Sequence, residues 1–320
     1  MNDERIVIEI SVKNNIVSIN KIINCFNWFD AKEVKFGIGT NGKYKKYDTK
    51  YLNLVANELI QDKVNIEFLA GKESFRCLRN YSSQDVVLLS CTIDYLRYQS
   101  KKKKIARDIE KIMETIGIVT CVYSLEDSFW QNNTDISNYE LKGKEMKNIP
   151  TRESEIFEGE LEVDVDKLPG HDKLIDGLWY GAAWQMWFSS LYFKYVDQKA
   201  INEFKNCYVN ETVSNNCIHI QLYEDIKDYD KKENRERQWE FKRSIAFDEV
   251  VEAANERFYK QESDPTTEIL TGTFKHGGTR KIVTYLSEND NITSKKVATK
   301  FEELEYNSTG KLLYRGIIEI

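Results

Sequence analysis

The chain has 320 residues and a mass near 37.6 kDa, enough for one large domain or two, with a core that needs neither disulfides nor a metal to close. Apolar residues make up 41% and charged residues 31%, with only 3 prolines, which excludes a disordered, collagen-like or Pro-rich chain. The 52 acidic residues outnumber the 46 basic ones, so the net charge of −6 repels phosphate and excludes the basic excess of a nucleic-acid-wrapping protein.

In chain order, residues 5–12 (RIVIEISV) form a β-rich run. Residues 16–29 place Ile16, Ile19, Ile22, Ile23 and Phe26 at helical spacing, and residues 33–38 predict a second strand. Asp48 and Thr49 can cap a helix carrying Leu52, Val55, Ala56, Leu59 and Ile60. Strands follow at 64–69 and 86–91. A helix from Ser100 to Ile116 puts Ile105, Ile109, Ile112, Met113 and Ile116 on one side, with Lys101–Lys104 as its solvated start. A strand at 117–123 ends this half, and the alternation points to a strand/helix sandwich.

Residues 126–155 are polar, with Asn132, Asn133, Asn138, Asn148 and Pro150, and predict a connection between domains. Beyond it come an acidic strand at 158–166, an aromatic helix at 176–195, a helix capped by Asp197 and a strand at 217–224. A charged segment, 225–243, leads to a helix capped by Asp248 and then to β ribbons at 279–286, 300–306 and 311–320. The predicted class is α+β: an alternating β/α domain over 1–125, a polar connection over 126–155, and an α+β domain over 156–320 ending in antiparallel ribbons.

Six cysteines, at 25, 77, 91, 121, 207 and 217, show no C-x-x-C spacing, so isolated thiols in a reducing cytoplasm are expected. The start, Met1-Asn-Asp-Glu-Arg5, lacks the basic and apolar regions of a signal peptide. The uncharged stretch 177–193 is too short and interrupted for a membrane span. Gly37-Ile-Gly39-Thr-Asn-Gly42-Lys43-Tyr44 nearly matches two phosphate motifs. A phosphate loop needs a helix starting at the loop and a hydroxyl for magnesium; here Lys43-Tyr-Lys-Lys-Tyr-Asp48 intervenes and Tyr44 stands in the hydroxyl's place. His171, His219 and His276 form no metal pattern, and Cys217 with His219 on one strand face lacks a third orienting group. No cofactor is expected.

The most informative stretch is Glu158-Gly-Glu160-Leu-Glu162-Val-Asp164-Val-Asp166. In a strand these five carboxylates line one face and Leu161, Val163 and Val165 the other. A self-repelling row stays in water, protecting an edge, or meets cations: a basic partner protein, or a divalent metal at Asp164 and Asp166. The helix 176–195 is apolar all round, which predicts burial; Trp179, Trp184 and Trp187 are candidates to support a partner-binding patch.

The aromatic Asp176–Tyr195 segment, the strand Ile218–Glu224, the stretch Arg235-Glu-Arg-Gln-Trp-Glu-Phe241 and the terminal ribbons together resemble bacterial toxin-immunity proteins of polymorphic toxin systems, over residues 170–320. That resemblance implies an acidic, cytoplasmic, non-catalytic protein that blocks a toxin domain, plausibly a nuclease, by direct binding. No catalytic residue carries over. The expected contacts are Glu158, Glu160, Glu162, Asp164 and Asp166, with the three tryptophans behind them; the expected partner is a cognate toxin or another basic protein, with no nucleic acid and no membrane. An antagonist of a host defence enzyme would share this mechanism. The alternative is a phosphate-handling enzyme using Gly37–Lys43 or the Asp164/Asp166 carboxylates.

Overall fold

The computed structural model describes residues 4–13, 27–37, 44–48, 65–79, 86–154, 157, 159–214 and 217–320. The expected helix at 49–60, the Ile38–Lys43 part of the glycine loop, Cys25 and Glu158 lie outside those residues, as does the expected helix at 16–29 except for Asn27, Trp28 and Phe29, which form a turn.

The first half supplies β1 (Arg5–Lys13), β2 (Glu33–Gly37), β3 (Lys45–Lys46), β4 (Asn65–Ala70), β5 (Glu73–Arg79), β6 (Val86–Asp94), helix α1 (Tyr95–Thr115) and β7 (Gly117–Ser124). Next come α2 (Leu125–Asn132), α3 (Ile136–Leu141), β8 (Thr151–Glu153), β9 (Leu161–Val163), β10 (Lys173–Ile175), β11 (Leu178–Tyr180) and β12 (Gln185–Ser189). The remainder is α4 (Gln198–Glu203), β13 (Val209–Ser214), β14 (Cys217–Gln221), α5 (Lys232–Ser244), α6 (Phe247–Ser263), β15 (Thr267–Thr271), β16 (Arg280–Leu286), β17 (Lys300–Tyr306) and β18 (Leu312–Glu319).

A 10-stranded sheet runs in the order β13-β14-β12-β7-β1-β6-β5-β4-β2-β3, every pairing antiparallel. The α+β class is met. The sheet takes strands from both sides of residues 126–155, because Gln185–Phe188 of β12 pair with Val119–Val122 of β7. A separate 4-stranded meander, β15-β16-β17-β18, holds the three expected ribbons.

β1 explains the layering. Ile6, Ile8, Ile10 and Val12 point to one face, where Ile105, Ile109, Ile112 and Met113 of α1 are buried. Thr120, opposite Ile10, donates from Oγ1 to Met113 Sδ at 3.2 Å, which places α1 on that face. Val7, Glu9 and Ser11 point the other way, and Ser11 Oγ donates to Gly177 O at 2.6 Å. The second face is therefore covered by the β10–β11 hairpin, and near β12 by α5, whose Phe241 stacks on Phe188 at 6.0 Å. The α1 helix starts earlier than expected, capped by Asp94, whose Oδ1 accepts from Leu96 N and Arg97 N. Lys101–Lys104 consequently sit inside the helix, with Lys101 Nζ on the carbonyls of Asn27 and Trp28.

The expected helix over 176–195 is not formed. The segment is instead the turn that follows β10, then β11, β12 and a single 3-10 turn at Tyr192–Lys194. Asp176 and Gly177 both have positive φ (54° and 79°), and they join the paired residues Ile175 and Leu178 as a two-residue hairpin turn. Trp, Tyr and Phe suit a half-buried pleated surface as well as a helix, so an apolar run of this length did not distinguish the two.

Candidate functional site

The nine-residue acidic strand is reduced to the three residues of β9, which pair antiparallel with β8: Thr151 with Val163, Arg152 with Glu162, Glu153 with Leu161. Beyond Val163 the chain enters a 3-10 turn at Val165–Lys167, so Asp164 and Asp166 leave the strand. The carboxylates do not form one solvated row. Arg152 gathers three of them: Nε to Glu162 at 2.8 Å, and Nη1 to Asp166 at 2.8 Å and Asp164 at 3.8 Å. Asp164 is buried and held by Lys167 at 2.7 Å; Asp166 also binds Lys173 at 2.9 Å. Burial works to raise the Asp166 pKa, but the hydrogen bonds from Lys173 and Arg152 outweigh it and hold the carboxyl below its usual value. Glu160 alone among the described carboxylates of the row is exposed and carries no ion pair among the described residues.

The hairpin is anchored by a small second core. Val163 and Val165 pack with Trp130 and Tyr139, against Ile136, Met146, Ile149 and Leu168. Val163 N donates to Thr134 O at 2.8 Å and Asp164 N to Pro150 O at 2.9 Å. At the other end, Ser154 N donates to Glu160 O and Glu160 N to Phe157 O, which closes the turn. That closed end projects Phe157 (59% exposed) and Leu161 (60% exposed), flanked by the exposed carboxylates of Glu153 and Glu160.

Beneath the hairpin lies a buried polar frame that the sequence patterns did not reveal. Asn132 Oδ1 accepts from Asp172 N at 3.2 Å and lies 2.7 Å from His171 Nδ1, while its Nδ2 donates to Ser128 O. The amide oxygen therefore faces His171, which puts the imidazole proton on Nδ1. Burial, then the Lys173 and Lys242 charges, push His171 down to about 4, so Nε2 is bare and faces the Asp166 carboxylate at 3.3 Å without a hydrogen bond. Asp127 on α2 and Arg235 on α5 form a buried two-pronged ion pair, and Arg235 also donates to Gln238 Oε1 at 2.9 Å. Asn234, Gln238, Phe241 and Lys242 fall on the buried side of α5 at helical spacing, a signal in the sequence that the density of charge concealed.

The three tryptophans sit in the core. Trp179 donates to Asp172 Oδ2 at 2.6 Å, Trp184 to Tyr223 O at 2.8 Å, and Trp187 stacks on His219 at 4.3 Å. All three are 5% exposed or less. Cys217 is buried, which pushes its thiol up to about 12, far from the thiolate a nucleophile needs. His276, in a turn closed by Gly277 N to Phe274 O, stacks on Tyr314 at 3.9 Å. Among the described residues no group of three or more His, Cys, Asp and Glu side chains could hold a metal ion, and no helix is long and apolar enough to cross a membrane.

No family model matches the chain, and no curated protein matches it. Among solved structures it is similar to the Pseudomonas aeruginosa T6SS protein PA0821, at 10% identity and a TM-score of 0.47, covering 76% of this chain and 73% of that one. A likeness of that degree carries no argument about function.

Proposed function

We propose that the chain is a non-catalytic binding protein that occupies a basic partner protein through the closed end of the β8–β9 hairpin, as a toxin-immunity protein does. The observation that carries this reading is the pairing of exposed Phe157 and Leu161 with the carboxylates of Glu153 and Glu160 on a braced hairpin. Aromatic and aliphatic side chains in the middle of a contact supply most of its affinity, and flanking charge steers the encounter. The overall charge of −6 favours a basic partner, and carboxylates there can stand where the phosphates of a nuclease substrate would sit. The inner carboxylates, Glu162, Asp164 and Asp166, shape the hairpin through Arg152 and contribute to binding through that shape. Glu158 belongs to the same acidic stretch of the sequence.

The test is capture from the native host with the parent chain and with a Glu153→Lys, Phe157→Ser, Glu160→Lys variant. A basic protein retained by the parent is expected to bind the variant at least about thirtyfold more weakly, the effect of losing roughly 2 kcal/mol. The melting temperature is expected to stay unchanged, because all three side chains are exposed. Equal affinity for parent and variant would show that the hairpin end is not the contact.

A further inference from the structure

The meander ends on β18, whose outer side carries no partner strand among the described residues. Sheet proteins blunt such edges with very short strands, lysines or bulges. At the ends of the large sheet, β3 is just Lys45 and Lys46, and β13 is distorted between Thr212 and Ser214. β18 runs for 8 residues, LLYRGIIE, and its pairing is irregular only near its start, opposite Glu305/Tyr306. Leu312, Leu313, Ile317, Ile318 and the following Ile320 are all exposed.

The ladder fixes which main-chain groups are free. Ile320 N donates to Thr299 O at 2.9 Å. In an antiparallel ladder bonded and non-bonded pairs alternate, so Tyr314, Gly316 and Ile318 turn their N–H and C=O toward β17. Leu313, Arg315, Ile317 and Glu319 turn theirs outward.

We propose that a second copy of this chain adds to that edge, β18 against β18, antiparallel and centred on Ile317. In this register Ile317 faces Ile317 of the second copy across the two-fold axis. Arg315 lies opposite Glu319 of the second copy, once on each side of the axis. On the other face Tyr314 meets Ile320 and Gly316 meets Ile318. Charge complementarity selects a copy of the same strand: an occupant must offer an acid and a base in the reverse order at this spacing, and the antiparallel copy does. Glu319 has no ion pair among the described residues, whereas Arg315 engages Glu302 through Nε at 2.6 Å and has further guanidinium donors to offer. The glycine fits the same picture. A Cβ on Gly316 would collide with the Tyr314 hydroxyl, so the Tyr314 ring lies over Gly316, stacked on His276, and gives Ile318 of the second copy an apolar floor.

Sedimentation velocity on the full chain tests this, over about a hundredfold range of concentration, since a contact this small forms a weak dimer. The mass is expected to rise from 37.6 kDa toward twice that value. Ile317→Lys, at an exposed position, is expected to stay monomeric with an unchanged melting temperature. Glu319→Arg is expected to weaken the dimer by about three- to tenfold, and Arg315→Glu with Glu319→Arg to restore it. A monomer at every concentration, or a dimer that Ile317→Lys leaves intact, would overturn the proposal. Failure of the double reversal to restore association would overturn the register. Neither result bears on the β8–β9 hairpin, so the two proposals fail separately.

Discussion

Glu9 shows how far burial moves a single group. It lies on the covered face of β1, with Ser90 and Cys121 as its neighbours across the two ladders. Burial first, and then the Asp172 carboxylate, raise its pKa from 4.5 to about 7, against a hydrogen bond with Tyr123. Between those values the folded chain holds a proton that the unfolded chain has released. The stabilising contribution is thus complete below pH 4.5 and is lost as the pH rises through 7. Glu9→Gln keeps the neutral form at every pH. In urea denaturation it is expected to be more stable than the parent by about 2 kcal/mol at pH 8, allowing for partial exposure, and nearly equal to it at pH 4.5. An identical difference at both pH values would contradict the assignment. His171 acts in the opposite sense, with a folded pKa of about 4 against 6.5, so its contribution is gained as the pH rises through that window. The two slopes oppose each other between pH 4.5 and 6.5, which is why a variant and not the parent's own profile isolates Glu9.

Among elements, the β10–β11 turn is the most sensitive to one atom. Gly177 has a φ of +79°, and a Cβ there would lie 3.2 Å from Val86 Cγ1. Gly177→Ala is therefore expected to destabilise the chain by about 1–2 kcal/mol in chemical denaturation, whereas Gly143→Ala, with φ +65° but open space, is expected to cost less. An equal loss in the two variants would show that the contact with Val86 contributes nothing. This turn also marks the limit of what the residues disclose. Strands whose two faces differ, such as Arg5–Lys13, and helices with a one-sided apolar stripe, such as α1, were legible because burial imposes their period. Asp176-Gly177 is itself a strong hairpin signal, but it stands next to an unbroken aromatic run whose length suits a helix. The acidic row failed for another reason. Alternation assumes a straight strand, and Arg152, from a strand too polar to be noticed, draws three carboxylates together and bends the chain after Val163. The exposed Phe157 and Leu161 leave no trace in composition, since an apolar residue in a polar segment looks like core.

At the scale of the molecule, the large sheet ties residues far apart in sequence into one body, with β7 and β1 near its middle. Ile8 and Ile10 in β1, and Ile218 and Ile220 in β14, are all buried in the same core. Native-state hydrogen exchange is therefore expected to give the amides of β1 and β14 the same opening free energy, equal to that of global unfolding. Two distinct values, split near residues 126–155, would show two cooperative units joined by a shared sheet. The meander has its own small core of Ile282, Leu304 and Tyr306, and is expected to open at lower free energy.

The pairing of β7 with β12 also has a consequence for the nascent chain. Gln185–Phe188 must leave the ribosome before Val119–Val122 gain a neighbour on that side, and everything from α2 to β11 is made in between. During that interval a growing chain can close β1, β6 and β7 yet still present a bare apolar edge, so synthesis passes through a stage that a holdase-type chaperone can recognise and that crowding of unfinished chains endangers.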